Sequence, residues 1–211
     1  MQFTLYKNNN NKPKIYLISP SKIDMQYFPS LLSSVLDTGM VSIFQLRLKN
    51  YIDSELLKIT RLLFKICEDK KVIFILNDRP DLAKNANVDG VHIGKNDCSI
   101  KEARSILGNN KIIGSSCYNN NLLSIKSQSL GVDYVAFGSF FKTTTKKNTT
   151  NAVIHSLKKI KKNTHIPFVG IGGLDKFNIK KLLFLKPDFL AFCSTIWENK
   201  NSPVTEIKGV K

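Results

Sequence analysis

Residues 72–94 read VIFILNDRPDLAKNANVDGVHIG, and this stretch decides the fold. An apolar run at Val72–Leu76 is followed by an amphipathic segment from Pro80 to Ala86 and a second apolar run at Gly90–Ile93. Short apolar runs predict buried strands, and the segment between them predicts a helix. A strand, a helix and another strand in this order indicate a parallel pair joined by a crossover.

The same alternation continues in both directions along the chain. The strands predicted are Lys14–Ser19, Val41–Leu46, Val72–Leu76, Gly90–Ile93, Lys111–Gly114, Tyr134–Gly138, Phe168–Ile171 and Phe189–Cys193. The helices predicted are Phe28–Asp37, Asp53–Glu68, Pro80–Ala86, a helix capped by Ser99 and ending at Leu107, Leu122–Ser129, Ala152–Lys161 and Asp175–Leu185. Eight repeats favour an α/β fold that closes into a (β/α)8 TIM barrel. An open doubly wound sheet is the alternative, but no GxGxxG motif follows the first strand.

The composition is that of a globular chain with a strong positive charge. The 211 residues are 42% hydrophobic and 23% charged, which suits a single domain over residues 1–211, with residues 1–13 expected to fray. The net charge is +16, but the basic residues are scattered and form no stripe with aromatic residues. We therefore expect an anionic small-molecule substrate rather than a nucleic acid.

Targeting and redox signals predict a cytoplasmic protein. No apolar run approaches the roughly 18 residues of a membrane span, and the N-terminal residues are polar where a signal peptide would be apolar. The four cysteines are widely spaced without a CxxC pair, so free thiols are expected rather than a zinc site. No membrane partner is expected, and the oligomeric state stays open.

Polar residues collect where the predicted strands end, and in a TIM barrel these ends surround the active site. Gln45, Arg47 and Lys49 alternate along the end of the second strand, so they share one face. Two neighbouring cations repel each other unless an anion lies between them, which predicts a bound phosphate. An ion-pair cluster with Glu55 or another acid is the alternative.

Two further groups of residues extend this prediction. Asp78 and Asp97 follow neighbouring strands and suit a Mg²⁺ ion completed by phosphate oxygens, unless each only pairs with Arg79 or a lysine. The pairs Gly172–Gly173 and Cys193–Ser194 end the last two strands, where barrels of this class often bind phosphate, although a turn or packing role is the alternative. Two anion sites suggest two phosphorylated substrates.

Seven sequence pieces together resemble the thiamine phosphate synthase family, which includes the thiazole tautomerases. They are QLRLK at 45–49, NDRPDLA at 77–83, DGVHIGKND at 89–97, GSS at 114–116, DYVAFGSFFKTTTK at 133–146, GIGGL at 170–174 and CSTI at 193–196. The resemblance runs from about Ile15 to Ile196.

The resemblance implies a transferase that couples hydroxymethylpyrimidine diphosphate to a thiazole phosphate and releases pyrophosphate. It implies that Mg²⁺, held by Asp78 and Asp97, assists the leaving pyrophosphate. The residues implied to bind the pyrimidine diphosphate are Gln45, Arg47, Lys49, Asn77, Ser116 and Lys146, of which Arg47, Lys49, Ser116 and Lys146 are the expected catalytic residues. Those implied to bind the thiazole phosphate are Thr143, Thr145, Gly173, Cys193 and Ser194.

Two other functions remain as alternatives: a thiazole tautomerase, and a non-catalytic binder of phosphorylated metabolites or nucleic acid. A tautomerase moves a proton and needs no metal–diphosphate site, so the two aspartates favour the synthase. The chain departs from the usual family pattern at Leu48, Lys95, Asn96, Lys142 and Tyr118. Only 17 residues follow Ser194, so a short eighth helix is expected, which leaves barrel closure open.

The polar segment Lys142–Asn151 is expected to act as a lid. It follows a strand directly and contains no apolar anchor, so it buries little surface in the free protein. Because it carries residues implied to contact both substrates, we expect it to close when they bind and to exclude water.

Overall fold

Eight parallel strands close on themselves in a computed structural model that describes residues 12–141 and 163–210. The strands are β1 Lys14–Ile18, β2 Val41–Leu46, β3 Ile73–Asn77, β4 Gly90–Ile93, β5 Ile112–Tyr118, β6 Tyr134–Phe137, β7 Phe168–Ile171 and β8 Phe189–Phe192. They pair in chain order, and β8 returns to pair with β1. The predicted TIM barrel is confirmed, and the open doubly wound sheet is wrong.

Helices cover the outside of the barrel. They are α1 Phe28–Leu36, α2 Asp53–Asp69, α3 Pro80–Asn85, α4 Ile100–Leu107, α5 Asn121–Ser129, a 3₁₀ helix at Ile179–Leu185, α6 Ser194–Trp197 and α7 Pro203–Gly209. As predicted, Ser99 caps α4 by accepting a hydrogen bond from the backbone N–H of Glu102. No helix in the described residues is both long and apolar enough to cross a membrane.

Side chains alternate between two apolar layers along each strand. Leu17 belongs to the core between the strands and the helices, whereas its neighbours Tyr16 and Ile18 point into the barrel interior. The inner layer also contains Ile43, Ile75, Tyr134, Ala136, Val169, Phe189 and Ala191. The inner layer fills the barrel, so ligands have access only at its ends.

At the end of the barrel opposite the predicted site, three aspartates each bind the beginning of the strand next to their own. Each lies directly before an even-numbered strand and accepts a backbone N–H bond from the strand before it. The pairs are Asp89 with Phe74, Asp133 with Ile113 and Asp188 with Phe168, at 2.7, 2.8 and 2.9 Å. Charge-assisted hydrogen bonds of this kind fix the strand register, which sets where the opposite ends meet.

The short C-terminal segment still completes the outer layer. The Trp197 indole N–H donates to the Ile18 carbonyl at 2.6 Å, which attaches α6 to β1. In α7, Ile207 is fully buried, and the helix packs against α1 and α6. The 17 residues after Ser194 therefore close the barrel with two short helices in place of one.

Two predicted elements differ from the structure. The fifth strand extends to Tyr118 because Ser116 and Tyr118 pair with β6 across a register shift, although their polarity ended the apolar run at Gly114. The predicted helix Asp175–Leu185 is a 3₁₀ helix that begins at Ile179, because the Asp175 carboxylate accepts backbone N–H bonds from Phe177 and Asn178. The predicted helix Ala152–Lys161 lies outside the described residues.

Candidate active site

A cavity of about 260 Å³ opens at the carboxyl ends of the strands. Most of the predicted binding residues that the structure describes contribute to its wall. These are Gln45, Arg47, Asn77, Ser116, Gly172, Gly173, Cys193 and Ser194. The structure therefore brings together residues from β2, β3 and β5 and from the loops after β7 and β8.

The ends of β2 and β3 form a polar wall of this cavity. The Gln45 side-chain amide is 3% exposed and donates to the Asn77 side-chain oxygen at 2.9 Å. The Arg47 backbone N–H donates to the Ser19 hydroxyl at 2.9 Å, which joins the end of β2 to the end of β1. Gln45, Asn77 and Arg47 therefore lie together in the lining of the cavity.

Lys49, Asp78 and Asp97 form a separate cluster outside the cavity lining. The Lys49 ammonium nitrogen lies 3.2 Å from an Asp78 carboxylate oxygen. Asp78 has a left-handed backbone (φ of 67°), and its N–H donates to the His92 carbonyl at 2.8 Å. Asp97 accepts a 2.7 Å bond from the Gly94 N–H. Asp78 thus pairs with a lysine, whereas Arg79 pairs with Asp53 and Asp81.

The carboxyl group of Asp78 lies in surroundings that disfavour its charge. Burial raises the pKa of Asp78, the neighbouring Asp97 raises it further, and Lys49 offsets part of the effect. A divalent cation would relieve this repulsion, and oxygen-only donors suit a hard cation such as Mg²⁺. Among the described residues, no group of three or more histidine, cysteine or acidic side chains is placed to hold a metal ion. Water and phosphate oxygens would have to complete an ion held by two carboxylates.

Glycine backbones form the opposite end of the cavity. Gly172 and Gly173 have φ angles of 102° and 65°, and a Cβ atom on Gly172 would lie 2.3 Å from the Ser139 hydroxyl. Only glycine suits this conformation and this close approach. The Asn178 side chain donates to the Gly173 carbonyl at 2.8 Å and holds the loop in place.

The loop after β8 completes this end. The Thr195 hydroxyl donates to the Leu174 carbonyl at 2.6 Å, and this hydrogen bond joins the loops after β7 and β8. The Cys193 thiol donates to the Ser19 carbonyl at 3.3 Å, and burial raises the pKa of this thiol to about 11. Cys193 is therefore protonated near neutral pH, which suits a packing or hydrogen-bonding role rather than a nucleophilic one.

A buried polar chain lies at the cavity floor, and only its Ser116 member was predicted from the sequence. His92 lies between the hydroxyl groups of Ser116 and Tyr134, and Tyr134 also contacts the Tyr16 hydroxyl. The available signal was a tyrosine at an inward-facing position in the strands KIYLI and YVAF. An isolated tyrosine in a strand is typical of a packing residue. Nothing near it in the sequence indicates which hydroxyl group it contacts in the closed barrel.

The remaining predicted residues either lie outside the described part of the chain or are positions where the sequence departs from the family pattern. Thr143, Thr145, Lys146 and the predicted lid Lys142–Asn151 lie outside the described residues. Among the departures from the family pattern, Tyr118 lines the cavity with φ of 55°, and Leu48 is buried in the outer core. Lys95 and Asn96 are exposed and do not line the cavity.

Comparison with known proteins gives one consistent family. The profile of the thiamine monophosphate synthase family matches residues 15–196. The thiamine-phosphate synthase of Pelagibacter ubique is 45% identical over 97% of this chain and 99% of its own length. That of Rhodospirillum centenum is 38% identical over 92% of this chain and 94% of its own length.

Solved structures show the same relationship. The thiamine phosphate pyrophosphorylase of Pyrococcus furiosus has a TM-score of 0.81 and 28% identity, covering 96% of each chain. A 3-hexulose-6-phosphate synthase superimposes with a TM-score of 0.66 over 93% of this chain and 97% of its own, but at 14% identity. The second likeness concerns the fold alone.

The opposed pKa shifts of two aspartates predict opposite effects on stability. The folded-state pKa of Asp78 is raised, so its ionisation weakens the fold as pH rises through the range between its unfolded and folded pKa values. In EDTA at pH 7, Asp78→Asn should therefore raise the urea midpoint, and the gain should disappear below about pH 4, where the carboxyl is protonated in both states.

Asp53→Asn is the matched control. A hydrogen bond from Arg79 lowers the pKa of Asp53, so the same chemical change there should lower the urea midpoint at pH 7. A lowered midpoint for Asp78→Asn would contradict the electrostatic account of the carboxyl pair.

Proposed function

Because the chain belongs to the thiamine monophosphate synthase family, we propose that it couples hydroxymethylpyrimidine diphosphate to a thiazole phosphate. With hydroxyethylthiazole phosphate as the thiazole substrate, the products are thiamine phosphate and pyrophosphate. With its carboxylated form, CO₂ is released as well. One observation supports the proposal: a single cavity is lined both by Gln45, Arg47 and Asn77 from β2 and β3 and by the two glycines that follow β7. Such a cavity suits two phosphorylated substrates that bind in one orientation.

The pyrimidine diphosphate is proposed to bind beside β2 and β3. Gln45 and Asn77 already orient each other through their 2.9 Å hydrogen bond, so their remaining polar atoms can contact the substrate without reorganisation. Arg47 would bind diphosphate oxygens as a fork, and Lys49 would act as a point charge once it is released from Asp78. Ser116 would contact the substrate from the cavity floor, and Lys146 is proposed to complete the set.

Asp78 and Asp97 are proposed to hold Mg²⁺. Burial and the neighbouring Asp97 raise the pKa of Asp78, so a cation held by these two residues would stabilise the ionised Asp78 carboxylate. When bound, Mg²⁺ would neutralise charge on the diphosphate leaving group. Binding of the ion would also free the Lys49 ammonium group from Asp78, so that it can approach the diphosphate.

The thiazole phosphate is proposed to bind at the glycine end. There Gly173 and Ser194 offer backbone and hydroxyl groups, and Cys193 offers a protonated thiol. Thr143 and Thr145 are proposed to contact the same phosphate. A monophosphate at this end would place the thiazole ring toward the centre of the cavity, where it can meet the pyrimidine.

The proposed reaction is dissociative. The bond between the pyrimidine methylene carbon and the bridging oxygen breaks, and its electron pair leaves with pyrophosphate. The lone pair of the thiazole nitrogen then forms a bond to the resulting carbocation. Arg47, Lys49 and Lys146 would stabilise the negative charge that develops on the leaving group. A thiazole tautomerase needs no such cluster, so Lys49, Asp78 and Asp97 favour the transferase.

The 211 residues are proposed to act as one catalytic domain, supplied with its substrates in the cytoplasm. All four cysteines are free thiols, which suits a reducing compartment. The net charge of +16 is assigned to attraction of anionic metabolites, not to nucleic-acid binding.

Product formation tests the proposal directly. The purified chain, mixed with both substrates and Mg²⁺, should release thiamine phosphate and pyrophosphate in equal amounts, and EDTA should abolish release. Asp97→Asn should reduce turnover by about 100-fold because it removes a charge that holds the cation. Asp69→Asn, an exposed surface change at the end of α2, is the matched control and should retain activity. Product formation at an unchanged rate in EDTA would overturn the metal-assisted mechanism.

Paired variants test the placement of the two substrates. Arg47→Ala should raise the KM for the pyrimidine diphosphate about 10- to 100-fold, because it removes charged hydrogen bonds worth roughly 1.5–3 kcal/mol. Gly173→Ala should act mainly on the thiazole phosphate, because a Cβ atom is strained at a φ of 65° and obstructs backbone approach. Equal losses for both substrates in both variants would show that the two ends are misassigned.

A further inference from the structure

The C-terminal helix α7 contains a buried glutamate that the proposed mechanism does not use. The Glu206 side chain is 1% exposed, and its Oε1 accepts a hydrogen bond from the Asn201 side-chain amide at 2.5 Å. Among the described residues, none donates a hydrogen bond to its Oε2. The ammonium nitrogen of Lys176 lies 3.8 Å from this second oxygen. A buried carboxylate with an incomplete set of hydrogen bonds depends on such a cation to retain its charge.

Glu206 joins the two loops that follow β7 and β8. Lys176 belongs to the loop after β7, which also carries Gly173. Asn201 lies in the connection between α6 and α7, and α6 begins at Ser194 directly after β8. Both Gly173 and Ser194 line the cavity. One buried carboxylate is therefore contacted from both of the segments that form the glycine end of the cavity.

Helix α7 is a fixed support for this contact. Its first turn is capped by Ser202, whose hydroxyl accepts a bond from the Thr205 backbone N–H at 3.2 Å. Ile207 is fully buried, and the helix packs against α1 and α6. A Cβ atom on Gly209 would lie 3.7 Å from Cδ of Lys176, so the lysine stem lies against the last turn of α7. The lysine therefore connects the loop after β7 to a helix that the barrel itself holds.

Other hydrogen bonds fix the internal shape of the loop. Asn178 donates to the Gly173 carbonyl at 2.8 Å, and the Asp175 carboxylate accepts from the backbone N–H of Asn178 at 2.9 Å. Both bonds join residues of the loop to each other. The contact between Lys176 and Glu206 differs from them because it sets the position of the loop relative to the outer helices.

We propose that Glu206 is a positioning residue for the glycine end of the cavity. Through Lys176 it holds the loop after β7, so that the Gly173 backbone stays where a phosphate can bind. Small displacements of a binding group weaken its contacts with the ligand. The identity of this ligand as the thiazole phosphate rests on the proposed function, whereas the placement of the loop is a property of the free protein.

A purely structural ion pair would act through the stability of the whole barrel. Its loss would increase hydrogen exchange throughout the chain and would affect both substrates alike. A positioning pair influences the loop after β7 and the substrate that binds there. Local hydrogen exchange and separate KM values therefore distinguish the two roles.

The first measurement is hydrogen exchange of the full chain without substrate, detected by mass spectrometry. Glu206→Gln preserves the size of the side chain and removes the charge that attracts Lys176. Peptides covering residues 172–179 should exchange about fivefold faster, and those covering β2 and β3 should change less than about twofold. Glu68→Gln is the matched control, because it removes the charge of an exposed glutamate that lies 3.0 Å from Lys65, and it should leave the loop unchanged.

The second variant, Lys176→Met, breaks the same contact from the loop and leaves the residues of α7 intact. It should accelerate exchange in residues 172–179 in the same way, so the test does not depend on the folding of Glu206→Gln. An increase spread evenly over the chain, or no increase at residues 172–179 in either variant, would overturn the proposal.

The second measurement separates the KM values in steady-state kinetics. Glu206→Gln should raise the KM for the thiazole phosphate about five- to tenfold and that for the pyrimidine diphosphate less than about twofold. Lys176→Met should act similarly, whereas Lys176→Arg keeps the charge and should stay within about twofold of the wild-type value. Because both side chains act through one contact, the double variant with Glu206→Gln and Lys176→Met should lose no more than the larger single loss.

Equal KM increases for the two substrates, or losses that multiply in the double variant, would contradict the positioning role. The exchange measurement decides whether Glu206 holds the loop whether or not thiamine phosphate forms. Failure of this inference and failure of the proposed function are therefore distinguishable.

Discussion

Pairing of β8 with β1 is the constraint on which the site depends. The pairs Lys14 with Phe189 and Leu17 with Phe192 close the sheet, so residues from distant parts of the chain meet at one mouth. Trp197 and Cys193 add hydrogen bonds to the backbone at the end of β1. An open sheet would leave the glycine end and the guanidinium wall on separate edges, with no common cavity.

The closed barrel also separates two kinds of polar group. Charged side chains occupy the rim, where Lys49 and Asp78 retain contact with water and can exchange partners when an ion or a phosphate arrives. Neutral groups occupy the floor, where the tyrosines are buried and burial raises the pKa of both phenols. The charged groups therefore lie where the leaving diphosphate would be, and the neutral polar groups lie where a neutral ring would be.

The alternation of apolar runs and amphipathic segments was sufficient to predict the barrel, because each run is buried on both faces. It also predicted that Gln45 and Asn77 would lie together at one mouth of the barrel, since strand ends converge in any closed parallel barrel. It failed at residues 115–118, where polar residues continue β5. Sequence reasoning also missed the Tyr16–Tyr134 contact. The two tyrosines are 118 residues apart, and the residues around each one do not indicate that its hydroxyl group has a buried partner.

The central claim is that one cavity has two distinct anion ends. A crystal structure of the full chain with Mg²⁺, pyrophosphate and thiazole phosphate would test it most directly. The account predicts diphosphate density beside Arg47 and the Asp78–Asp97 pair, and monophosphate density against Gly173 and Ser194. Both anions at the same end, or a diphosphate at the glycine end, would contradict it.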